Sequence, residues 1–192
     1  MLEEIAGTVY LLLPLLGGAI AHAACMKFGW FGALARPIDA GRAFRGKPIF
    51  GHSKTWRGPL AVAAGTAAVL ALQRHLLHPI PAFASLELVD YAALPGGWFG
   101  LLAGAAAELS ELPNSFTKRR LGVEPGGTAG GLRGLVFYLW DQLDLLLGYW
   151  LVFAIAVEPT ALRVGISILV VGGVHPLLTL VGYLLGVRPT AR

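Results

Sequence analysis

LVFYLWDQLDLLLGYWLVFAIAV, residues 135–157, decides what kind of protein this is. A bilayer core takes roughly 20 mainly apolar residues in one helix, and this stretch is long and apolar enough to cross it. It nevertheless carries Asp141 and Asp144. Carboxylates inside an apolar helix are expensive, and ionisable residues in a span serve a function by default. Their i, i+3 spacing puts both on one helix face.

The rest of the chain has the same character. Of 192 residues, 56% are hydrophobic and only 14% charged, with a mean hydropathy of +0.67. An average soluble domain carries about 25% charged residues, and a soluble fold of this size could not hide so much apolar surface. Disorder, a basic nucleic-acid-binding domain and an ordinary cytosolic enzyme are excluded; an integral membrane protein remains. Cys25 is the single cysteine, so no intrachain disulfide forms and a cysteine-based zinc site is implausible; a buried, inert thiol is expected.

Five transmembrane helices are expected, at about 5–26, 59–77, 96–109, 135–157 and 162–187, in one all-α membrane domain spanning 1–192. The first lacks a basic leading region and a clean cleavage site, and so reads as a retained helix. Small pairs such as Gly100 and Gly104 let membrane helices approach closely, and the alternating strands of a barrel are absent. Of the 15 lysines and arginines, all but Arg74 and Arg163 fall in the connections at about 27–58 and 110–134 or in the C-terminal tail. The positive-inside rule then makes both connections cytoplasmic, with the N-terminus outside and the C-terminus inside. The outer connection from 78 to 95 is moderately apolar and is expected along the interface. Trp30, Trp56, Trp98 and Trp150 read as interfacial anchors.

The two basic connections are richer in Gly, Lys and Arg than a linker needs. RPIDAGRAFRGKPIFGHSKTWRG, residues 36–58, places Lys54, Thr55, Arg57 and Gly58 beside closely spaced glycines. Glycine turns expose backbone N–H groups that bind anions, and Arg offers phosphate a planar fork. The spacing of a P-loop is missing. SELPNSFTKRRLGVEPGGTAGGLRG, residues 110–134, adds Asn114, Ser115, Lys118, Arg119 and Arg120. Together the connections resemble a nucleotide site; the alternative is that they only fix topology.

Asp141 and Asp144 sit about two turns inside the same end. Paired carboxylates near polyphosphate suit Mg²⁺; a structural ion pair with a loop arginine, or a cation-coupled transporter, would use them otherwise. Glu108 and Glu111 form a second i, i+3 acidic pair, which either adds a ligand or holds a basic side chain, the structural pairing being the favoured reading. Asn114 and Ser115 could cap a helix after Pro113. Asp39 reads as a turn residue or a partner of Arg42 or Lys47, and His22 and His175 as packing residues, with a kink at His175-Pro176.

PIDAGRAFRGKPIFGHSKTWRG, ELPNSFTKRRLGVEPGG and DQLDLLLG, in that order, resemble the CDP-archaeol synthase family of membrane CTP-transferases, relatives of phosphatidate cytidylyltransferase. The resemblance covers about 37–58 and 112–148. It implies Mg²⁺-dependent transfer of CMP from CTP to a membrane lipid phosphate resembling digeranylgeranylglyceryl phosphate, giving a CDP-lipid and pyrophosphate. It implies Asp141 and Asp144 as metal ligands. Lys118, Arg119 and Arg120 become phosphate contacts, Asn114 and Ser115 line the nucleotide site, and Lys54, Thr55 and Arg57, with Gly58, lie near the triphosphate or the lipid phosphate. An ester phosphatidate acceptor is the alternative substrate.

Overall fold

In the computed structural model, residues 1–91, 93, 94, 97–127 and 129–184 are described. The chain is helical, as the hydropathy pattern requires. α1 (Leu2–Lys27) leads through the first basic connection to α2 (Arg57–Leu72), which ends in a π turn over Gln73–Leu77. The short α3 (Pro81–Ala84) precedes α4 (Trp98–Leu109), α5 (Glu111–Arg120), α6 (Gly131–Phe153) and α7 (Ala161–Leu184). Residues 2–27, 57–77 and 131–153 are each long and apolar enough to cross a membrane. α4, with 12 residues, reaches only about 18 Å, because Ser110 turns the chain into α5. Gly96, Arg188 and Arg192 lie outside the described residues, as do the side chains of His175 and Pro176.

Neighbouring helices meet on small residues. A Cβ on Gly17 of α1 would stand 2.3 Å from the Val69 side chain of α2, and one on Gly65 of α2 would stand 2.5 Å from the Gly17 carbonyl. On α4, Cβ atoms at Gly100 and Gly104 would come within 2.6 and 2.7 Å of the Cα atoms of Ala67 and Ala63. A Cβ at Gly148 of α6 would lie 2.2 Å from the Ala106 carbonyl of α4. Close backbone approach of this kind maximises van der Waals packing where lipid removes the hydrophobic drive between helices. The pairing expected of Gly100 and Gly104 is therefore the α2–α4 seam.

The far end of the bundle is knitted by polar side chains. The fully buried Tyr149 donates its hydroxyl to the Leu11 carbonyl at 2.6 Å, and Gln73 Nε2 donates to the Tyr10 carbonyl at 2.8 Å. Arg163 of α7 grips both carboxylate oxygens of Glu4 at 3.1 Å. Trp150 is buried in the core and donates to Ser167 Oγ at 3.2 Å, so it is no interfacial anchor; Trp30, Trp56 and Trp98 are exposed. The 78–95 connection does not simply lie flat: Val89, Tyr91 and Leu94 join the core. Cys25 is buried and free.

The basic connections are more structured than loops. Ala43–Phe44 (β1) and Lys47–Pro48 (β2) form an antiparallel hairpin pairing Phe44 with Lys47. Its turn residues Arg45 and Gly46 both have positive φ, 51° and 75°, the geometry that matches strand twist in a two-residue turn. This hairpin is an exception to the all-α expectation. The stretch expected as a second loop is half helix: Asn114, Ser115, Lys118, Arg119 and Arg120 all lie on α5. Asn114 and Ser115 therefore sit inside that helix and do not cap it.

Candidate active site

α5 and α6 meet where Ser110 turns the chain. Ser110 Oγ donates to the main-chain carbonyl of Asp144 and lies 2.5 Å from the Ala107 carbonyl. This contact, with Gly148 pressed on Ala106, holds α6 close enough for its acids to reach α5. The Asn114 amide, 1% exposed, donates to Asp141 Oδ1 at 2.6 Å and to Asp144 Oδ2 at 3.0 Å. One nitrogen thus joins both carboxylates. Lys118, one turn further along α5, reaches both oxygens of Asp141, Oδ2 at 2.6 Å. Asp144 also accepts from the Leu145 N–H at 2.9 Å. The Asn114 Oδ1 atom is buried without a hydrogen-bond partner.

The first connection closes over this corner. Lys54 forms an ion pair with Glu111. Burial pulls its ammonium below the ordinary lysine range, opposed by the carboxylates of Glu108, Asp144 and Asp141. Four acids therefore surround a site served by Lys54 and Lys118. Asp39 fastens the connection: its carboxylate accepts from the N–H groups of Gly41, Phe50 and Gly51 at 2.9 to 3.0 Å. Burial alone would raise the Asp39 pKa, but these backbone bonds outweigh it and hold the group below its ordinary value. Gly51, at φ +101°, has no room for a side chain, since a Cβ would stand 2.8 Å from Pro125 of the second connection.

The structure thus brings Asp141, Asp144, Asn114, Lys118 and Lys54 together. Ser115 is buried beside them, and its carbonyl faces Arg119 Nε at 3.5 Å. Arg119 is also buried, and its Nη1 has no partner. Thr55 is half-buried and pairs with Pro37 through a backbone bridge. Arg57 is set apart at the start of α2, against Met26. Gly58 lies over Glu108, whose Oε1 would be 2.5 Å from any Cβ there. Arg120 has a different set of partners from those expected. It donates to the carbonyls of Phe44, Lys47 and Pro48 and lies over the rings of Phe44 and Phe116, so it clamps the hairpin onto α5.

Glu111 was readable as the holder of a basic side chain, and it holds Lys54. Glu108 faces His22 Nδ1 at 3.7 Å. Ser110 and the three-donor role of Asp39 left no distinctive mark in the sequence beyond the turn preference of Asp. A cavity of about 440 Å³ opens in the second connection, lined by Gly122, Glu124, Gly127, Arg133 and Phe137 among others. Phe137 also lies under Lys118, whose ammonium is 5.5 Å from the ring centroid, so cavity and carboxylates share a wall. Among the described residues, no group of three or more His, Cys, Asp or Glu side chains is arranged to hold a metal ion unaided.

Residues 1–191 match the family described as CarS-like, CDP-archaeol synthase. The CDP-archaeol synthase of Halobacterium salinarum is 36% identical over 166 residues, covering 80% of this chain and 81% of its own length. That of Aeropyrum pernix is 33% identical over 191 residues, covering 97% and 92%. A solved structure described as an intramembrane enzyme for archaeal membrane lipids biosynthesis superposes with a TM-score of 0.59 at 26% identity, over 87% of this chain and 89% of its own.

Proposed function

The chain belongs to the CDP-archaeol synthase family, and from that premise we propose that it moves CMP from CTP to the phosphate of an isoprenoid ether lipid. The observation that carries this reading is the convergence of Asp141 and Asp144 on Asn114, ringed by Lys118 and Lys54. An oxygen of the lipid phosphate bonds to the α-phosphorus of CTP. The bond from that phosphorus to the bridging oxygen breaks, and pyrophosphate leaves with the electron pair. A phosphate oxygen is already anionic, so the chemistry asks for charge neutralisation and in-line positioning more than for a base.

The donor set fits Mg²⁺. Two carboxylates share one amide, an amide oxygen beside them is unpaired, and Mg²⁺ is bound by one or two carboxylates plus substrate phosphates. Asp141 and Asp144 would hold it. When bound it neutralises charge on the transferring group. Lys118 is shared between the oxygens of Asp141 and is placed to pass to the nucleotide phosphates. Arg119 offers an unpaired guanidinium nitrogen to the same anion. Lys54, held by Glu111, covers the site from the first connection. The 440 Å³ cavity beside Phe137 has the size of a small-molecule site and takes the nucleoside. The basic connections gather at one end of the bundle, and their charge puts that end in the cytoplasm, where CTP is found.

The test is direct. Purified protein is incubated with labelled CTP, Mg²⁺ and either an isoprenoid ether phosphate or an ester phosphatidate. CDP-lipid from the ether substrate is expected. Product from phosphatidate alone would overturn the acceptor, and no product from either would overturn the function.

A further inference from the structure

We propose that Glu124 and Arg133 read the base of the bound nucleotide, Glu124 selecting cytosine over uracil; this rests on the function proposed above. Neither residue belongs to the cluster around Asn114. Both line the cavity of about 440 Å³ in the second connection.

An acid in this place needs a reason. The neighbouring cations serve a polyphosphate, and a spare carboxylate repels one. Glu124 and Arg133 are both exposed, so packing does not demand them. Among the described residues neither is in an ion pair, with the other or with any third group. Glu124 favours the charge of Arg119 without coming within ion-pair distance of it. Two opposite charges thus line one cavity and stay apart. The space between them suits a ligand that turns a donor to the acid and an acceptor to the base.

The helices set the level of each group. Arg133, Phe137 and Asp141 follow one another at i, i+4 along one face of α6. Each step rises about 6 Å, so Arg133 stands about 12 Å from the level of Asp141. The buried ring of Phe137 is the wall between them, with the Lys118 ammonium 5.5 Å from its centroid. Glu124 arrives from α5. The Val123 N–H bonds the Lys118 carbonyl at 2.9 Å and turns the chain back, and the Gly127 N–H closes on the Glu124 carbonyl at 2.9 Å. A nucleotide with its phosphates at Lys118 and Arg119 therefore lays its ribose along Phe137. Its base then enters the cavity between Glu124 and Arg133.

Base chemistry does the selecting. Cytosine carries an amine donor at N4, which a carboxylate accepts. Uracil carries the acceptor O4 at the same place, so its lone pairs would meet the negative charge of Glu124. O2 is common to both bases, and the Arg133 guanidinium donates to it. Arg133 thus adds affinity for either pyrimidine, while Glu124 discriminates between them.

The experiment measures binding without an acceptor lipid, so that no turnover occurs. The detergent-purified full chain with Mg²⁺ is titrated calorimetrically with CTP, UTP, GTP and inorganic tripolyphosphate. Wild type is compared with Glu124→Gln, Glu124→Ala and Arg133→Gln, and with Glu3→Gln as a control for charge lost at the opposite end. Wild type should prefer CTP to UTP by at least about tenfold. Both Glu124 variants should cut that preference to about threefold or less. Glu124→Gln should do so mainly by gaining UTP, because its amide can turn an N–H to O4. Arg133→Gln should weaken CTP and UTP alike, by about tenfold. Tripolyphosphate affinity should stay within about twofold of wild type in every variant. An unchanged CTP-to-UTP ratio in both Glu124 variants overturns the base readout. Equal losses of CTP and tripolyphosphate in Arg133→Gln make it a phosphate contact and overturn its part. A wild type that prefers CTP, with variants that keep the preference, removes the readout alone; a wild type that binds CTP no better than tripolyphosphate or GTP removes the function beneath it.

Discussion

Asn114 is the residue on which the site turns. Its one amide nitrogen bonds both carboxylates and fixes their separation and orientation. Replacing Asp141 or Asp144 by Asn keeps the shape and removes the charge. Turnover in either variant should fall at least about 100-fold, on the scale of losing a main electrostatic contributor, with folding intact by size-exclusion chromatography. Activity equal to wild type would refute the metal assignment. Asp39 acts on structure instead. Its folded pKa is depressed, so its stabilisation is present above the unfolded value of about 3.9 and is lost as pH falls through the lower folded value. Asp39→Asn leaves one acceptor atom for three donors. It should cost about 2–3 kcal/mol in thermal or denaturant unfolding and should remove that acid-side dependence. A wild-type-like melt with the same acid limb would count against this role.

At the scale of elements, helix contacts are set by single missing side chains. Gly148 lets α6 touch the Ala106 carbonyl, and the same contact brings Asp144 under Ser110. Gly148→Val should destabilise the protein by about 1–3 kcal/mol, the usual cost of overpacking, and lower turnover because the carboxylates move away from Asn114. Stability and rate should drop together; a stable variant with full activity would show that the seam does not position the site. Arg120 binds the hairpin to α5 by carbonyl acceptance and ring stacking. Arg120→Ala should speed proteolysis within residues 36–58, read by mass spectrometry, while leaving the helices intact. Unchanged cleavage would leave Arg120 without the role its partners indicate.

At the scale of the molecule, the bundle is tied at both ends in different ways. One end carries the acids, the lysines and the two basic connections; the other carries the Glu4–Arg163 pair and the Tyr149 and Gln73 bonds. Orientation can be read from thiol chemistry. Cys25 is buried, so wild type in sealed vesicles should resist an impermeant maleimide. Arg45→Cys, at the exposed hairpin tip, should react only when the cytoplasmic face is open to the reagent. Labelling from the opposite face would invert the proposed topology.

Much of this was legible in one dimension. Hydropathy marked the apolar helices because burial in lipid selects residue type along the chain, whatever the packing. The acids of α6 stood out because charge in such a helix is rare. Motif order pointed to the family because a phosphate site needs particular residue types close together. What tertiary structure alone decided is which partner each charge takes. Lys118 goes to Asp141, Lys54 to Glu111, His22 to Glu108 and Arg120 to a hairpin, and Trp150 turns inward to Ser167. Those pairings depend on where glycines let helices meet, at distances of a few ångströms across long stretches of chain. Spacing along a sequence says which side chains share a face; only the packed helices say what that face is pressed against.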